Sequence, residues 1–228
     1  MTFILTNDDG IDAEGIKALQ QAVNSHGEST IVAPSKQYSG CGHQITVYSP
    51  LKAEQRQKNA YAVYGTPADC VRLAVTEISP QSKWVLSGIN AGGNLGVDIY
   101  MSGTVAAVRE AAILGFPAIA FSQVRKYPIP VNWDWTTKIT KKVLDLLLAK
   151  DLPKGSFWNV NLPPLGEDAP EPEIIFCPPS IDSLPVKFHK EGNLYHYQGS
   201  YHDRPVEKGT DVDACFSGNI AISLISLR

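Results

Sequence analysis

The stretch TFILTNDDGIDAEGIKALQQAVNSHGESTIVAP, residues 2–34, decides the fold. Thr2–Thr6 is a short apolar run, and it ends in Asn7-Asp8-Asp9-Gly10, a turn signal. Within Gly15–Ser25, Ile16, Leu19 and Val23 then recur on one helical face. Gly27 stands just past that segment, where a left-handed helix stop is easy. Thr30–Ala33 is a second apolar run, stopped by Pro34. A strand, a loop, a helix and another strand in this order specify parallel strands joined by a crossover helix.

The alternation continues down the chain. Ile45–Ser49 and Tyr61–Tyr64 are strand-like, and Lys83–Ser87 is a strand opening into the glycine-rich Gly88–Gly96. Val105–Leu114 reads as helix, closed by Gly115, and Pro117 starts the strand Ala118–Ser122. Trp135–Lys150 is a longer amphipathic helix, with Ile139, Val143, Leu146 and Leu147 facing inward, and Phe157–Leu162 is a further strand. The expected fold class is α/β: a Rossmann-like, doubly wound, mostly parallel sheet with helices on both faces, its core over residues 1–162. The last third differs. Pro163–Pro185 is proline-rich, while Leu194–Ser200 and Asn219–Leu227 look extended. A β-hairpin extension is expected over 163–228 of a single domain spanning 1–228, with exposed strands from Leu194 onward. An unpaired strand edge tends to find a partner, so at least a dimer, with this segment at or across the interface, is expected.

Bulk properties exclude several functions. With 228 residues, 43% of them hydrophobic, the chain suits one compact domain. A net charge of -3 gives no general pull toward nucleic acid polymers or anionic membranes. No apolar stretch is long enough to span a bilayer, and Met1–Asp8 lacks the basic flank and long apolar run of a signal peptide. Cys41, Cys70, Cys177 and Cys215 are far apart and form no C-x-x-C pair, which argues against a zinc framework or a disulfide-stapled domain. A cytoplasmic location is the simplest expectation.

In doubly wound sheets ligands bind beyond the carboxyl ends of the strands, which directs attention to Asn7–Asp12, Pro34–Gly42 and Gly88–Thr104. Asp8 and Asp9 are adjacent anions that stay comfortably ionised only beside a cation, although an Asp-Asp-Gly run also serves as an ordinary turn or helix cap. Ser39 can offer a hydroxyl to the same crevice. In Gly88–Gly96, Asn90 and Asn94 sit among glycines, where the backbone can approach a ligand closely and an Asn oxygen is a neutral hard donor. Ser102-Gly103-Thr104 opens a helix, and a helix N-terminus with flanking hydroxyls is a good phosphate cradle; the plain alternative is a Ser or Thr N-cap. Oxygen donors alone favour Mg²⁺ or Mn²⁺ over zinc. His43 is the only histidine near these loops and stands with Tyr38 and Tyr100 as a rim candidate. His26, His189, His196 and His202 are scattered, as expected of surface or structural residues. There is no G-x-S-x-G elbow, no G-x-x-x-x-G-K-[ST] loop and no G-x-G-x-x-G turn after the first strand.

At this point the sequence resembles the SurE survival-protein family of 5′/3′-nucleotidases. The matching segments are Leu5–Ile11, Val32-Ala33-Pro34, Ser39-Gly40, Gly65–Val71, Ser87–Gly92 and Ser102–Val105, with weaker similarity at Tyr197-Gln198-Gly199 and Gly209-Thr210-Asp211. The resemblance implies metal-dependent hydrolysis of nucleoside 5′- and 3′-monophosphates, with short polyphosphate as a further substrate. It implies Asp8, Asp9, Ser39 and Asn90 as ligands of one Mg²⁺ or Mn²⁺ per subunit, and Asn94, Ser102, Gly103 and Thr104 as phosphate contacts. In the mechanism expected at such a site, Asp8 or Asp9 is catalytic, orienting or deprotonating the attacking water, or Asp8 acts as nucleophile. The resemblance also implies dimers or tetramers joined partly by C-terminal elements. Cys41, Gly42 and the run Cys215–Ala221 depart from the usual pattern. Two other readings stand beside this one. A receiver-like phosphotransfer domain also carries an acidic pair after strand one, but here the strand Lys83–Ser87 ends in Ser-Gly rather than in a phosphoacceptor Asp. A non-catalytic metal and nucleotide-binding module acting by assembly is the second.

Overall fold

The computed structural model describes residues 1–164 and 170–227. Residues 165–169 of the proline-rich stretch, and the terminal residue, lie outside the described part.

Nine strands form one sheet. They are β1 (Thr2–Thr6), β2 (Glu28–Pro34), β3 (Ala53–Gln57), β4 (Ala60–Val63), β5 (Trp84–Asn90), β6 (Ala118–Gln123), β7 (Ser156–Leu162), β8 (Ile174–Phe176) and β11 (Ile220–Ser226), in the spatial order β3-β4-β2-β1-β5-β6-β7-β11-β8. A separate antiparallel pair is made by β9 (Phe188–Glu191) and β10 (Leu194–Tyr197). From β4 to β7 every neighbouring pair is parallel; β3 on one side and β11 on the other run antiparallel to their inner neighbours. The chain leaves β1 to build β2 on one side and later returns to build β5 on the other. The strand order therefore reverses between β1 and β5, which is where such sheets open a crevice.

Among the described residues five α-helices accompany the sheet: α1 (Glu14–Val23), α2 (Pro67–Leu73), α3 (Gly103–Ile113), α4 (Trp133–Leu147) and α5 (Asp211–Phe216). Successive side chains of a strand point to opposite faces, and β1 divides its residues accordingly. Phe3 and Leu5 pack with Ile16, Leu19 and Val23 of α1 and Ile139 and Val143 of α4. Ile4 packs on the other face with Cys70 and Val71 of α2 and Val105 and Val108 of α3. The doubly wound α/β expectation is thus borne out.

The chain departs from the sequence reading in several places. Ile45–Ser49, expected as a strand, joins no sheet. The backbone N–H of Thr46 donates instead to the Asp69 carboxylate at 2.7 Å, and the free edge of β4 is taken by β3. Helix α2 was not anticipated, although its signal is present. Thr66 and Asp69 form a reciprocal capping box and Pro67 occupies the first turn. Finally, the expected exposed strand at Asn219–Leu227 is an inner strand of the main sheet. β11 pairs with β7 on one side and β8 on the other, and Ile220–Ser223 are buried. Only β9 and β10 stand out as an exposed hairpin.

Gly15, in the first turn of α1, lets that helix lie directly on β5. A Cβ there would come within 1.9 Å of the Ile89 carbonyl oxygen. Gly15→Ala is expected to force the helix off the sheet and to lower stability in urea unfolding by about 1–3 kcal/mol, the usual cost of overpacking.

Candidate active site

The turn after β1 is built by the side chain of Asn7. Its Oδ1 accepts from the Gly10 N–H at 3.1 Å, and its Nδ2 donates to the Gly10 carbonyl at 2.9 Å. Gly10 has φ of +103°, which side-chain-bearing residues rarely adopt. Ile11 N–H donates to the Pro34 carbonyl at 2.9 Å and ties the turn to the end of β2. Asp8 and Asp9 thus leave the strand from a braced backbone. Asn7 was not singled out as a functional residue; an Asn two or three residues before a turn glycine is the signal that reveals it.

Asp8 is buried against the start of α3. Its carboxylate accepts from the Thr104 hydroxyl. The helix comes this close because residue 103 is glycine: a Cβ there would lie 2.7 Å from the Asp8 Cβ. Burial pushes the Asp8 carboxyl from its ordinary 3.8 up to about 6; the neighbouring Asp9 charge adds to the rise, and the Thr104 donors oppose it. Burial also raises the Asp9 carboxyl, against hydrogen bonds from the Ala91 backbone and the Gln37 side chain.

The other two expected ligands are joined to this pair by short links. Gln37 Nε2 donates to Ser39 Oγ at 2.8 Å and to Asp9 Oδ1 at 3.4 Å, so one amide holds both oxygens. Asn90 closes β5, beside the Ala91 backbone that reaches Asp9. Its Nδ2 donates to the Gly92 carbonyl at 2.9 Å, which leaves the amide oxygen as the group to offer a ligand. Two carboxylates side by side, both drawn out of water and both raised, form a site short of positive charge. Among the described residues no group of three or more His, Cys, Asp and Glu is placed to hold a metal ion. The remaining donors are thus a hydroxyl and an amide oxygen. Asp8, Asp9, Ser39 and Asn90 fit a hard divalent cation and would be the residues to hold it.

The expected phosphate contacts lie around this centre but are partly engaged. Ser102 caps α3, its Oγ accepting from the Val105 N–H at 3.1 Å. The Thr104 hydroxyl is committed to Asp8. Asn94 is knitted into the ends of β6 and β7. Its Nδ2 donates to Ser122 Oγ at 2.8 Å, its N–H donates to Asn161 Oδ1 at 2.8 Å, and its carbonyl accepts from Asn159 Nδ2 at 2.9 Å. The expected rim residue His43 is tied to α3, its Nε2 lying 2.8 Å from Glu110 Oε2.

Support also comes from far along the chain, where only two weak segments had drawn notice. Asp211 accepts from the Gly96 N–H at 2.7 Å and from the Ser180 N–H at 2.9 Å. Arg204 is buried and grips both Asp98 oxygens, at 2.8 and 3.2 Å. The glycine-rich loop after β5 is therefore fastened by residues about a hundred positions later.

The family description "Survival protein SurE" matches residues 3–180. The chain belongs to this family. A protein of Synechocystis sp. is 55% identical over 98% of each chain. The 5′-nucleotidase SurE of Geotalea uraniireducens is 36% identical over 100% of this chain and 93% of its own. Among solved structures, the SurE protein from Aquifex aeolicus superposes with a TM-score of 0.89 at 33% identity, covering 100% of this chain and 94% of that one.

The raised Asp8 pKa has a consequence for the metal-free protein. The native carboxyl holds its proton up to about pH 6, while the unfolded one releases it near 3.8. The native state therefore binds more protons in this window, and stability falls as pH rises from about 4 to 6. Above it the buried charge costs on the order of 3 kcal/mol, from 1.36 kcal/mol per pKa unit. In thermal melts with EDTA at pH 7.5, Asp8→Asn is expected to be more stable than the wild type, and its stability should lose most of this pH dependence.

Proposed function

We propose that the protein is a 5′-nucleotidase: a divalent-metal-dependent phosphatase that hydrolyses nucleoside 5′-monophosphates, and also 3′-monophosphates, to nucleoside and phosphate. The observation that carries the reading is the meeting of the Asp8–Asp9 pair with the N-terminus of α3 at the crevice between β1 and β5. A cation held by Asp8, Asp9, Ser39 and Asn90 supplies Lewis acidity toward a phosphate oxygen and toward water. The backbone N–H groups at the start of α3 and the Ser102 hydroxyl receive the other phosphate oxygens, where charge develops during transfer. Asp9, more exposed than Asp8, orients the attacking water or takes its proton. Asp8 is fixed by Thr104 in a ligand's position. The relatives named 5′-nucleotidase SurE support the choice of substrate class.

A cradle of backbone N–H groups and hydroxyls reads the phosphate and not the base. Broad activity across nucleoside monophosphates follows, with poor activity on diesters, whose second ester group displaces a cradle contact; short polyphosphate belongs to the same reading. A homodimer or homotetramer built through the β9–β10 hairpin is part of the proposal, supported by the exposed Phe188, Leu194, Tyr195 and Tyr197 on that hairpin. So is cytoplasmic residence, supported by four cysteines without a disulfide. Among the described residues no helix is long and apolar enough to cross a membrane.

The test is phosphate release from purine and pyrimidine monophosphates with and without Mg²⁺ or Mn²⁺. EDTA is expected to abolish turnover, and Asp8→Asn or Asp9→Asn to lower it by at least about a hundredfold. Asn90→Ala is expected to raise the metal requirement, while Ser102→Ala weakens substrate or transition-state binding. Full activity in EDTA overturns the metal, and absence of turnover on every monophosphate leaves a binding module that acts by assembly. A purine-to-pyrimidine ratio in kcat/KM near ten-thousandfold, the scale of a dedicated hydrogen-bonding pocket, overturns the phosphate-only reading. Light scattering that finds a monomer overturns the assembly.

A further inference from the structure

Helix α3 carries one residue out of keeping with the rest. Val105, Ala106, Ala107, Val108, Ala111 and Ala112 are buried and small or apolar, yet Glu110 among them is only 4% exposed. Its carboxylate is shared. Oε1 accepts from Arg72 Nη1 of α2 at 2.9 Å, and Oε2 lies 2.8 Å from His43 Nε2. Glu110 is buried while Arg72 is half exposed, so the carboxylate is brought out of water to meet two groups that reach it from other elements. His43 stands four residues beyond Ser39 in the segment that follows β2.

That segment has no strand partner and takes its course from side-chain and loop contacts. Tyr38 N–H donates to the Asp8 carbonyl at 2.7 Å, and Gly42 N–H to the Met101 carbonyl at 3.1 Å. Farther on, the Thr66 hydroxyl donates to the Gln44 carbonyl at 2.6 Å, and Thr46 donates from both N–H and hydroxyl to Asp69, each at 2.7 Å. Between Ser39 and His43 the backbone passes through Gly40 and Gly42 with φ of +72° and +61°. Glycine is the residue with the most backbone freedom to lose. Gln37 and the Tyr38 backbone hold Ser39 on the near side of these two glycines; a side-chain anchor on the far side restrains the segment from the other end.

We propose that His43, held by Glu110 and Arg72, is a positioning residue that sets Ser39 for the cation, and not a residue of the substrate rim. The inference rests on the reading of Ser39 as a ligand. Its orientation supports it: the His43 Nε2 is engaged with a buried carboxylate of α3, so it is not free for a substrate.

The experiment compares the full-length wild type with His43→Ala and His43→Gln, whose amide can still donate to Glu110. Amide hydrogen exchange of peptides covering 38–46 is read in the metal-free protein, and phosphate release is titrated with Mn²⁺. His43→Ala is expected to speed exchange in this segment several-fold without change in β1 or β5. It should raise the Mn²⁺ concentration for half-activity by about tenfold, the scale of losing a residue that orients a ligand. At saturating Mn²⁺ its kcat should stay within about twofold of the wild type. His43→Gln should recover most of both losses. In the His43→Ala background Glu110→Gln should add little, since partners in one network are not additive. Unchanged exchange and an unchanged Mn²⁺ midpoint overturn the proposal. So does a rise in the nucleotide KM alone, which places His43 on the rim. If the wild type releases no phosphate, the phosphatase reading fails by itself, and Mn²⁺ binding by calorimetry tests His43 with the same expected tenfold weakening.

Discussion

The structure is organised around a carboxylate that is costly to bury. Asp8 is nearly out of water, and its compensation comes mainly from the start of α3 with the Thr104 hydroxyl, helped by its own backbone N–H. A helix N-terminus is a partial positive charge that reaches about one turn, so the helix has to arrive end-on and close. Glycine at position 103 permits the approach, and the Asn7–Gly10 turn aims the carboxylate at it. Even so the carboxyl stays raised to about 6. The residual deficit is one of positive charge, which the proposed cation would offset. A site stabilised fully by its own residues would have less to gain from binding one.

Around that centre the sheet and the loops divide the work. The strands bring their carboxyl ends together, and the loops beyond them contain little regular structure. Each is held by a side chain from somewhere else: Gln37 spans Asp9 and Ser39, Asp69 holds Thr46, Glu110 holds His43, and Asp211 with Arg204 fastens the loop after β5. Apart from Gln37, whose amide donates at the surface, these anchors are charged groups satisfied by backbone N–H donors or by ion pairs, as buried polar groups must be. The same economy explains why β11 lies inside the main sheet. Its partners β7 and β8 need a cover on their free edges, and α5, whose first residue is Asp211, is delivered to the crevice only because β11 follows it into place.

Much of the site was readable in one dimension because its residues cluster in three short runs at strand ends. Asp8-Asp9-Gly10, Ser39-Gly40 and Gly88–Gly96 declare themselves through residue type, since carboxylates and asparagines beside glycines after an apolar run serve few purposes. Helix α2 was as readable, with Thr66, Pro67 and Asp69 in capping order, and went unread because its apolar face is short. Ile45–Ser49 misled because alternation promises a strand only where an edge is free to receive it, and β3 already occupies that edge. The strand Ile220–Ser226 was recognised as extended, but its pattern could not say whether it faced solvent or two neighbours.

The sequence by itself determined the alternation of strands and helices and the chemical character of the crevice. These follow from periodicity and from residue type, which are local properties. Only the tertiary structure decided which groups share a hydrogen bond: that Thr104 is committed to Asp8, that His43 is tied to Glu110, that Asn94 is bound by Asn159 and Asn161, and that Asp211 reaches Gly96. Each such pair joins residues dozens of positions apart. A donor in the sequence has many acceptors of equal chemistry, and the choice among them is made by the packing of the sheet and its helices, which no single segment contains.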